Sequence, residues 1–403
     1  HGPRDGAKLA VVSRKKRGAS TVELVDAGAV RVGDYLHLYE KAQVAYGMPV
    51  YGQIVRVAGK TGNRLTLDMP LGLDFDKDPG AARHDMIANV GIEGVKVTRN
   101  VKPKKGRTSN VEVTGVCNGY VRNIESAYCQ GAHVQVAASR DVVVERVFAH
   151  HAFSYGSGGE GYGIELANLT TRCRVSDCRL YHLRHPIQLC YGANHCVVSY
   201  NSTIGERAPT CYGDIETHGF SPHNNLFEGN RVWDPRVDGR SNEGLNLSQG
   251  LWNVWFRNRC DYFIDVEFPW EWGNLPPFHT ARIGNVCDQP RRSPPWENKR
   301  PKAAARGVTA FNAVDTPEEL AATDTWDAAS WIAGQEQWGR SKTGTRLPAS
   351  LYLKQRSAFL GATKPWPLFG PNAPSGGAWG KDNTLPADDR FQVDHTNKRN
   401  PSP

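Results

Sequence analysis

The sequence predicts a right-handed parallel β-helix on three observations: a short strand pattern repeats along the middle of the chain, its interval is near 23 residues, and a small polar residue recurs at one place in it. The pattern is alternating apolar residues, then usually Asn, then another apolar residue. It runs through Val95 to Asn100, Tyr120 to Ile124, Val142 to Val147, Cys173 to Asp177, Val197 to Asn201, Leu226 to Val232, Val254 to Asn258 and Ile283 to Val286. With the polar residue as origin, the positions are 100, 123, 146, 177, 201, 230, 258 and 285, at intervals of 23, 23, 31, 24, 29, 28 and 27. Alternation at period 2 makes strands rather than helices. The unit is too short for a propeller blade, and no ankyrin or leucine-rich signature accompanies it. Asn suits a recurring bend because it tolerates left-handed backbone and bonds locally. Stacked coil on coil, it forms a ladder, and each coil buries its inward side chains against its neighbours. A β-sandwich, the competing architecture, needs no such anchor.

The 403 residues, 39% hydrophobic and 22% charged, suffice for one large core or two ordinary ones and exclude a disordered chain. The 41 Gly imply many turns, and the 11 Trp supply flat, part-polar surfaces that suit sugar rings as well as cores. A formal charge of +8 favours anionic partners. The basic runs Arg14 to Arg17, Lys102 to Arg107, Arg291-Arg292 and Lys299-Arg300 read first as solvated faces. They come without zinc-finger, RNA-binding or helix-turn-helix patterns, which argues against nucleic acid. No run of 18 apolar residues is present, so no membrane-spanning helix is expected. The nine Cys include no C-x-x-C pair and read mainly as packed thiols. Cys260 and Cys287 fall at equivalent places in neighbouring repeats. The start at His1, without Met or signal peptide, reads as a processed or trimmed form of a secreted, extracellular protein. Oligomeric state is open between a monomer and a homo-oligomer such as a trimer.

The run Tyr155 to Gly163 (YGSGGEGYG), with Leu183 to Pro186, Gly192 to Asn194 and Asn224 to Asn230, resembles secreted bacterial pectate-lyase-like β-helix proteins over roughly residues 85 to 290. The stretch Leu347 to Leu353 (LPASLYL) adds to the likeness. The resemblance implies the fold. The family's activities range over lyases, hydrolases, epimerases and phage depolymerases, and a fold does not fix a function.

Three regions are expected. Residues 1–84 hold short strands (Val22 to Val25, Val32 to Leu36, Gly52 to Val57, Leu65 to Leu67) with Gly-rich turns, a β subdomain covering the N-terminal end of the solenoid. Residues 85–300 are the coils. Residues 301–403 hold an α-helix at Thr316 to Trp331, opened by Pro317-Glu318-Glu319. A Pro/Gly/Trp-rich tail follows that caps the open end, as exposed sheet edges require.

A second strand follows each anchor, and its outward column carries the chemistry. Val134, Ile164, Ile187, Ile215, Leu245 and Val266 point inward, so Gln135, Glu165, Gln188, Glu216, Asn246 and Glu267 point out. Every outward member is a carboxylate or an amide. Such a column is either a ladder that stabilises the stack or a glycan groove whose amides grip hydroxyls and whose acids move protons. Its uniformity favours the groove, because these residues are only moderately suited to strands. Coils about 4.8 Å apart put Glu165 and Glu216 about 10 Å from each other. Asp214 and Glu216, at i and i+2, are roughly 6.6 to 6.8 Å apart at Cα, and Asp265 with Glu267 repeats the arrangement. Inverting glycosidases place their carboxyls about 6.5 to 9.5 Å apart, retaining ones about 5 to 5.5 Å.

The catalytic candidates are therefore Asp214, Glu216, Glu165 and Glu267, with His218 two residues from Glu216. The substrate-binding candidates are Gln135, Gln188, Asn246 and Asp265, then Arg184 and His185 for an acidic group, Tyr162, and the aromatic pair Trp270 and Trp272. The bland readings are a structural His218, an Arg packed on the rim and an end-capping Trp pair. The longer intervals insert Tyr155 to Gly163, Gly205 to Gly213 and Arg236 to Glu243 as groove walls. No cofactor is expected. Asp214, Glu216 and Asp265 offer oxygen ligands for Ca2+, but without EF-hand or zinc spacing. The residues point to hydrolysis of an acidic polysaccharide by carboxylate acid/base catalysis. Two alternatives stand beside it. One is β-elimination by a lyase, with His218, His185 or Tyr191 as base and Arg184 or a metal neutralising a uronate. The other is a non-catalytic glycan-binding adhesin or phage-type tailspike.

Overall fold

The computed structural model describes residues 5–11, 15–41, 44–45, 47–103, 107–156, 158–203, 213–233, 235–237, 251–260, 280–283, 285–287, 307–310, 313–314, 349–354 and 384–391. Within them the middle of the chain winds as a right-handed parallel β-helix. Its longest sheet stacks Gly91–Glu93, Tyr120–Cys129, Val143–Ala152, Arg174–Ser176, Val197–Ser199, Leu226–Glu228, Val254–Phe256, Thr280–Ile283 and Gly307–Ala310 in parallel register. A second parallel sheet stacks Val111–Thr114, Ala132–Ala137, Tyr162–Ala167, His185–Leu189, Ile215–Thr217 and Pro235–Val237. The inward residues Val134, Ile164, Ile187 and Ile215 are all fully buried in the core. Cys260 pairs with Cys287 in register, and Cys117, Cys129, Cys173, Cys178, Cys190 and Cys196 are buried free thiols. The coils run past residue 300, where the sequence placed their end: Gly307–Ala310 and Ala313–Val314 add a further rung.

The recurring bend is made differently from the expectation. Left-handed backbone recurs at Asn123, Arg146, Asp177, Tyr200, Gly229 and Arg257, at intervals of 23, 31, 23, 29 and 28. A second left-handed column at Asn118, Asp141, Arg172, His195, Asn224 and Trp252 has the same intervals. From Tyr200 onward the Asn is the residue after the bend and turns into the core. Asn201 donates to Asn230 at 3.0 Å, Asn230 to Asn258 at 2.9 Å, and Asn258 to Asn285 at 2.9 Å. Each side-chain oxygen also accepts from the backbone N–H one coil back, as Asn230 does from Asn201 at 3.0 Å. The ladder thereby satisfies buried polar groups that would each otherwise cost about 1–3 kcal/mol.

The N-terminal region is a six-stranded antiparallel sheet ordered Asp5–Ala10, Pro79–His84, Tyr35–Glu40, Gly52–Thr61, Arg64–Leu67, Thr21–Glu23. It lies along the flank of the β-helix instead of over its N-terminal end. Residues 140, 171, 194 and 223 bridge successive coils on that flank. The sheet bonds to this column: Arg140 donates to Ile54 O at 3.2 Å, Ile54 N to Thr171 Oγ1 at 3.0 Å, and Asn194 to Gly52 O at 3.3 Å. Ile87, Val90, Ile92 and Val95 of the first coil remain about two-fifths exposed.

The described tail segments also lie on a flank. Ser350 and Leu351 donate to Glu228, the backbone N–H at 2.7 Å. The short helix Pro386–Arg390 docks on the long sheet, with Arg179 to Asp388 at 2.6 Å and Arg390 to Asp177 at 2.8 Å, and the Phe391 ring stacks on Phe148 at 5.3 Å. The helix expected at Thr316 to Trp331 falls outside the described residues. Burial raises the Asp177 carboxyl from 3.8 to about 6, against the pull of Arg390. A raised folded value means that this group's contribution is present below about pH 4 and is lost as pH rises through about 6, by at most about 3 kcal/mol. We therefore expect the Asp177→Asn variant to have a flatter melting-temperature profile between pH 4 and 7 than the wild type. Parallel profiles would contradict this.

Candidate functional site

The outward column of the second sheet is in register as the pattern required. Glu112 pairs with Gln135, Gln135 with Glu165, Glu165 with Gln188, and Gln188 with Glu216. Two rungs separate Glu165 from Glu216, or about 10 Å of backbone. Gly163 makes the close stacking feasible beside Glu165, since a Cβ there would sit 2.2 Å from the Pro186 carbonyl oxygen.

The column is not an open ridge. Glu165, Gln188 and Glu216 are 1%, 2% and 0% exposed, and only Gln135 is half-buried. The cover over Glu165 includes Arg107, from the loop of the first coil, which donates to Glu165 Oε1 at 2.6 Å. Gln135 donates to Glu165 Oε2, and the Cys190 thiol approaches Oε1 at 3.5 Å. Burial holds that thiol well above its ordinary value, so it serves as a donor. Burial also works to lower the Arg107 guanidinium, but Glu165 outweighs it and the net shift is upward.

Access is through a recess of about 270 Å³ lined by Met48, Arg107, Gln135, Glu165, Ala167, Asn168 and Tyr191. Glu165 and Gln135 are the predicted residues that reach it. Arg107, Met48 and Asn168 were not anticipated. Arg107 ends a basic run that read as a solvated face, and its loop lies outside the repeat, so spacing gave no partner for it.

Glu216 has its own surroundings. His185 Nδ1 lies 3.2 Å from Glu216 Oε2 and 3.0 Å from the Gly213 carbonyl oxygen, and His218 Nδ1 lies 3.5 Å from Glu216 Oε1. His185 is buried, and burial lowers its pKa against the opposing pull of Glu216. His218 keeps a side-chain exposure of 32% and links the buried carboxylate to the surface. Gln188 Oε1, between the two carboxylates, is buried with no hydrogen-bond partner among the described residues.

Several expectations need correction. Asp214 is buried, and its carboxylate accepts from the Thr203 hydroxyl and, at 3.0 Å, from the Trp233 N–H. Tyr162 is buried rather than offered to a sugar, with the Arg107 and Arg184 guanidinium carbons 5.0 and 5.8 Å from its ring centroid. Its hydroxyl is pushed up to about 12 by burial. Arg184 thus packs against Tyr162, and buried His185 faces Glu216. The rung after Glu216 holds Arg236, not Asn246, because the strand Pro235–Val237 follows directly. Asn246, Asp265, Glu267, Trp270 and Trp272 lie outside the described residues. Among the described residues no group of three or more His, Cys, Asp or Glu is placed to hold a metal ion.

Neither a family model nor a curated protein matches the chain. Solved structures do. The tailspike gp61 of Pseudomonas phage phi297 is 11% identical, covers 78% of this chain over 63% of its own and superposes with a TM-score of 0.51. The tailspike protein gp49 of Pseudomonas phage LKA1 is 13% identical over 78% of this chain and 61% of its own, TM-score 0.48. The catalytic unit of a thermostable GH87 α-1,3-glucanase from Streptomyces thermodiastaticus is 12% identical over 78% of this chain and 73% of its own, TM-score 0.34. The chain spans about three-fifths of the length of the tailspikes it matches. Register, inward core and the likeness to the phi297 tailspike agree on one conclusion: this is a right-handed parallel β-helix protein.

Proposed function

We propose that the chain hydrolyses a polysaccharide, an acidic one given its basic surface, along the outward column of the second sheet. The observation that carries this is the in-register series Gln135–Glu165–Gln188–Glu216, with Glu165 on the floor of an open recess. In this reading Glu165 is the general base, held in place by Arg107, Gln135 and Cys190. It takes a proton from a water whose oxygen attacks the anomeric carbon, and the leaving sugar oxygen takes a proton from His218, backed by Glu216. His218 and Glu216 act as one acid, because the histidine reaches solvent and the carboxylate does not. The pectate-lyase-like kinship belongs with this reading, as does the polysaccharide partner.

A second reading has its own observation. Arg107 and Tyr191 line the same recess, and a cation and a phenol are the kinds of group that β-elimination from a uronate would use. Incubation with a panel of acidic and neutral polysaccharides, followed by product mass, tests both. Hydrolysis adds one water per cleavage and elimination adds none. No cleavage of any polysaccharide would leave a glycan-binding protein without turnover and end the hydrolase reading.

A further inference from the structure

The recess has two kinds of wall. Gln135, Glu165, Asn168 and Arg107 give it hydrogen-bonding groups, while Met48 and Ala167 give it an apolar side. Met48 does not belong to the coils. It opens the strand Met48–Pro49, paired antiparallel with Val44–Ala45 across Gly47, whose φ is 76°. This hairpin forms a two-stranded sheet of its own, separate from the six-stranded sheet, and is anchored beside the recess. Val50 is buried with Phe220 against Tyr51 and Tyr191. Gly192 lets the Val50 carbonyl come in, since a Cβ at Gly192 would lie 2.6 Å from that oxygen. The backbone that carries Met48 is thereby fixed beside the recess, and its side chain lines the apolar side.

An unsubstituted sugar ring can lay a C–H face on a thioether, but it has no single group that joins a methyl to a hydrogen-bonding carbonyl. An acetyl substituent fits both walls: its methyl removes apolar area from water against Met48 and Ala167, and its carbonyl or amide bonds to Asn168 and Gln135. We propose that the recess recognises an acetylated sugar and that Met48 is the specificity-determining residue that selects the acetyl methyl. The inference rests on reading the outward column as a glycan site, and it makes the hairpin of Val44–Ala45 and Met48–Pro49 part of that site.

Saturation-transfer NMR with methyl glucoside, its 2-acetamido analogue and its 6-O-acetyl analogue tests this on the full chain. The expected result is about tenfold tighter binding of an acetylated probe than of methyl glucoside, with the strongest saturation on the acetyl methyl. In Met48→Ser the preference falls to about threefold or less, and Met48→Leu keeps it. Preference for only one acetylated probe supports the proposal and identifies the linkage as amide or ester. Equal binding of all three sugars, or a preference untouched by Met48→Ser, overturns the proposal and leaves the glycan reading standing. Binding of none overturns both.

Discussion

Glu165→Gln lowers kcat/KM on the cleaved polysaccharide by roughly 10²- to 10⁴-fold, the range for loss of a general acid or base. The substitution keeps the shape of the side chain and its contact with Gln135 but removes the charge that Arg107 meets. Arg107 keeps about a third of its side chain exposed, so water can take over part of the lost interaction and the fold survives. Glu216→Gln is expected to give a similar loss through His218, with kcat falling and KM nearly constant. Because the two carboxylates serve one displacement, the double variant should be little worse than the poorer single one. Stopped assays of kcat and KM, with melting temperatures as a folding control, check this. A Glu165→Gln enzyme within a few-fold of wild type would remove Glu165 from the chemistry.

Arg140→Ala produces the largest expected loss of stability, about 3 to 5 kcal/mol. Arg140 is fully buried where the N-terminal sheet meets the coils. It pairs with Asp68 of the sheet and, at 3.2 Å, with Asp141 of the coil, and it donates to the Ile54 carbonyl at 3.2 Å. Truncation removes the buried partner of two acids that are only about one-fifth exposed, leaving them to the half-exposed Arg172, and opens a cavity beneath Tyr35. Arg172 lies 3.3 Å from Asp68 and 2.8 Å from Asp141, which holds the effect towards the lower end of the range. Arg172→Ala, whose side chain is 40% exposed, should cost less than about 1 kcal/mol. Urea melts of the two variants, with limited proteolysis to detect release of residues 5–84, separate these values. Equal losses would show that the interface does not depend on the buried guanidinium.

Repetition made the fold legible in the sequence. A spacing of about 23 residues with apolar alternation admits few architectures, and the inward and outward faces followed from period 2 alone. The second-sheet column was readable from Gln135 to Glu216 because each strand there has the same short form. It failed at the next rung, where a strand beginning at Pro235 replaced the expected Asn246. A proline-led strand that pairs Arg236 with Glu216 does not match the sequence pattern of its neighbours. Burial was the larger gap. Periodicity says which way a side chain points, but not what lies over it, and Arg107 comes from a loop with no repeat to align. The Asn anchors likewise gave the right spacing and the ladder, but from Tyr200 onward the bend itself falls one residue earlier. A left-handed bend accepts Arg146 or Tyr200 as well as Asn, whereas the buried ladder needs an amide that both donates and accepts.

Proton NMR of the first reducing end formed during turnover tests the two-carboxylate arrangement most directly. With about two rungs between Glu165 and Glu216, there is room for a water on the face opposite the leaving group, and the first sugar released should carry the inverted anomer. A retained anomer, or an unsaturated terminal uronide in its place, would contradict the assignment of these carboxylates.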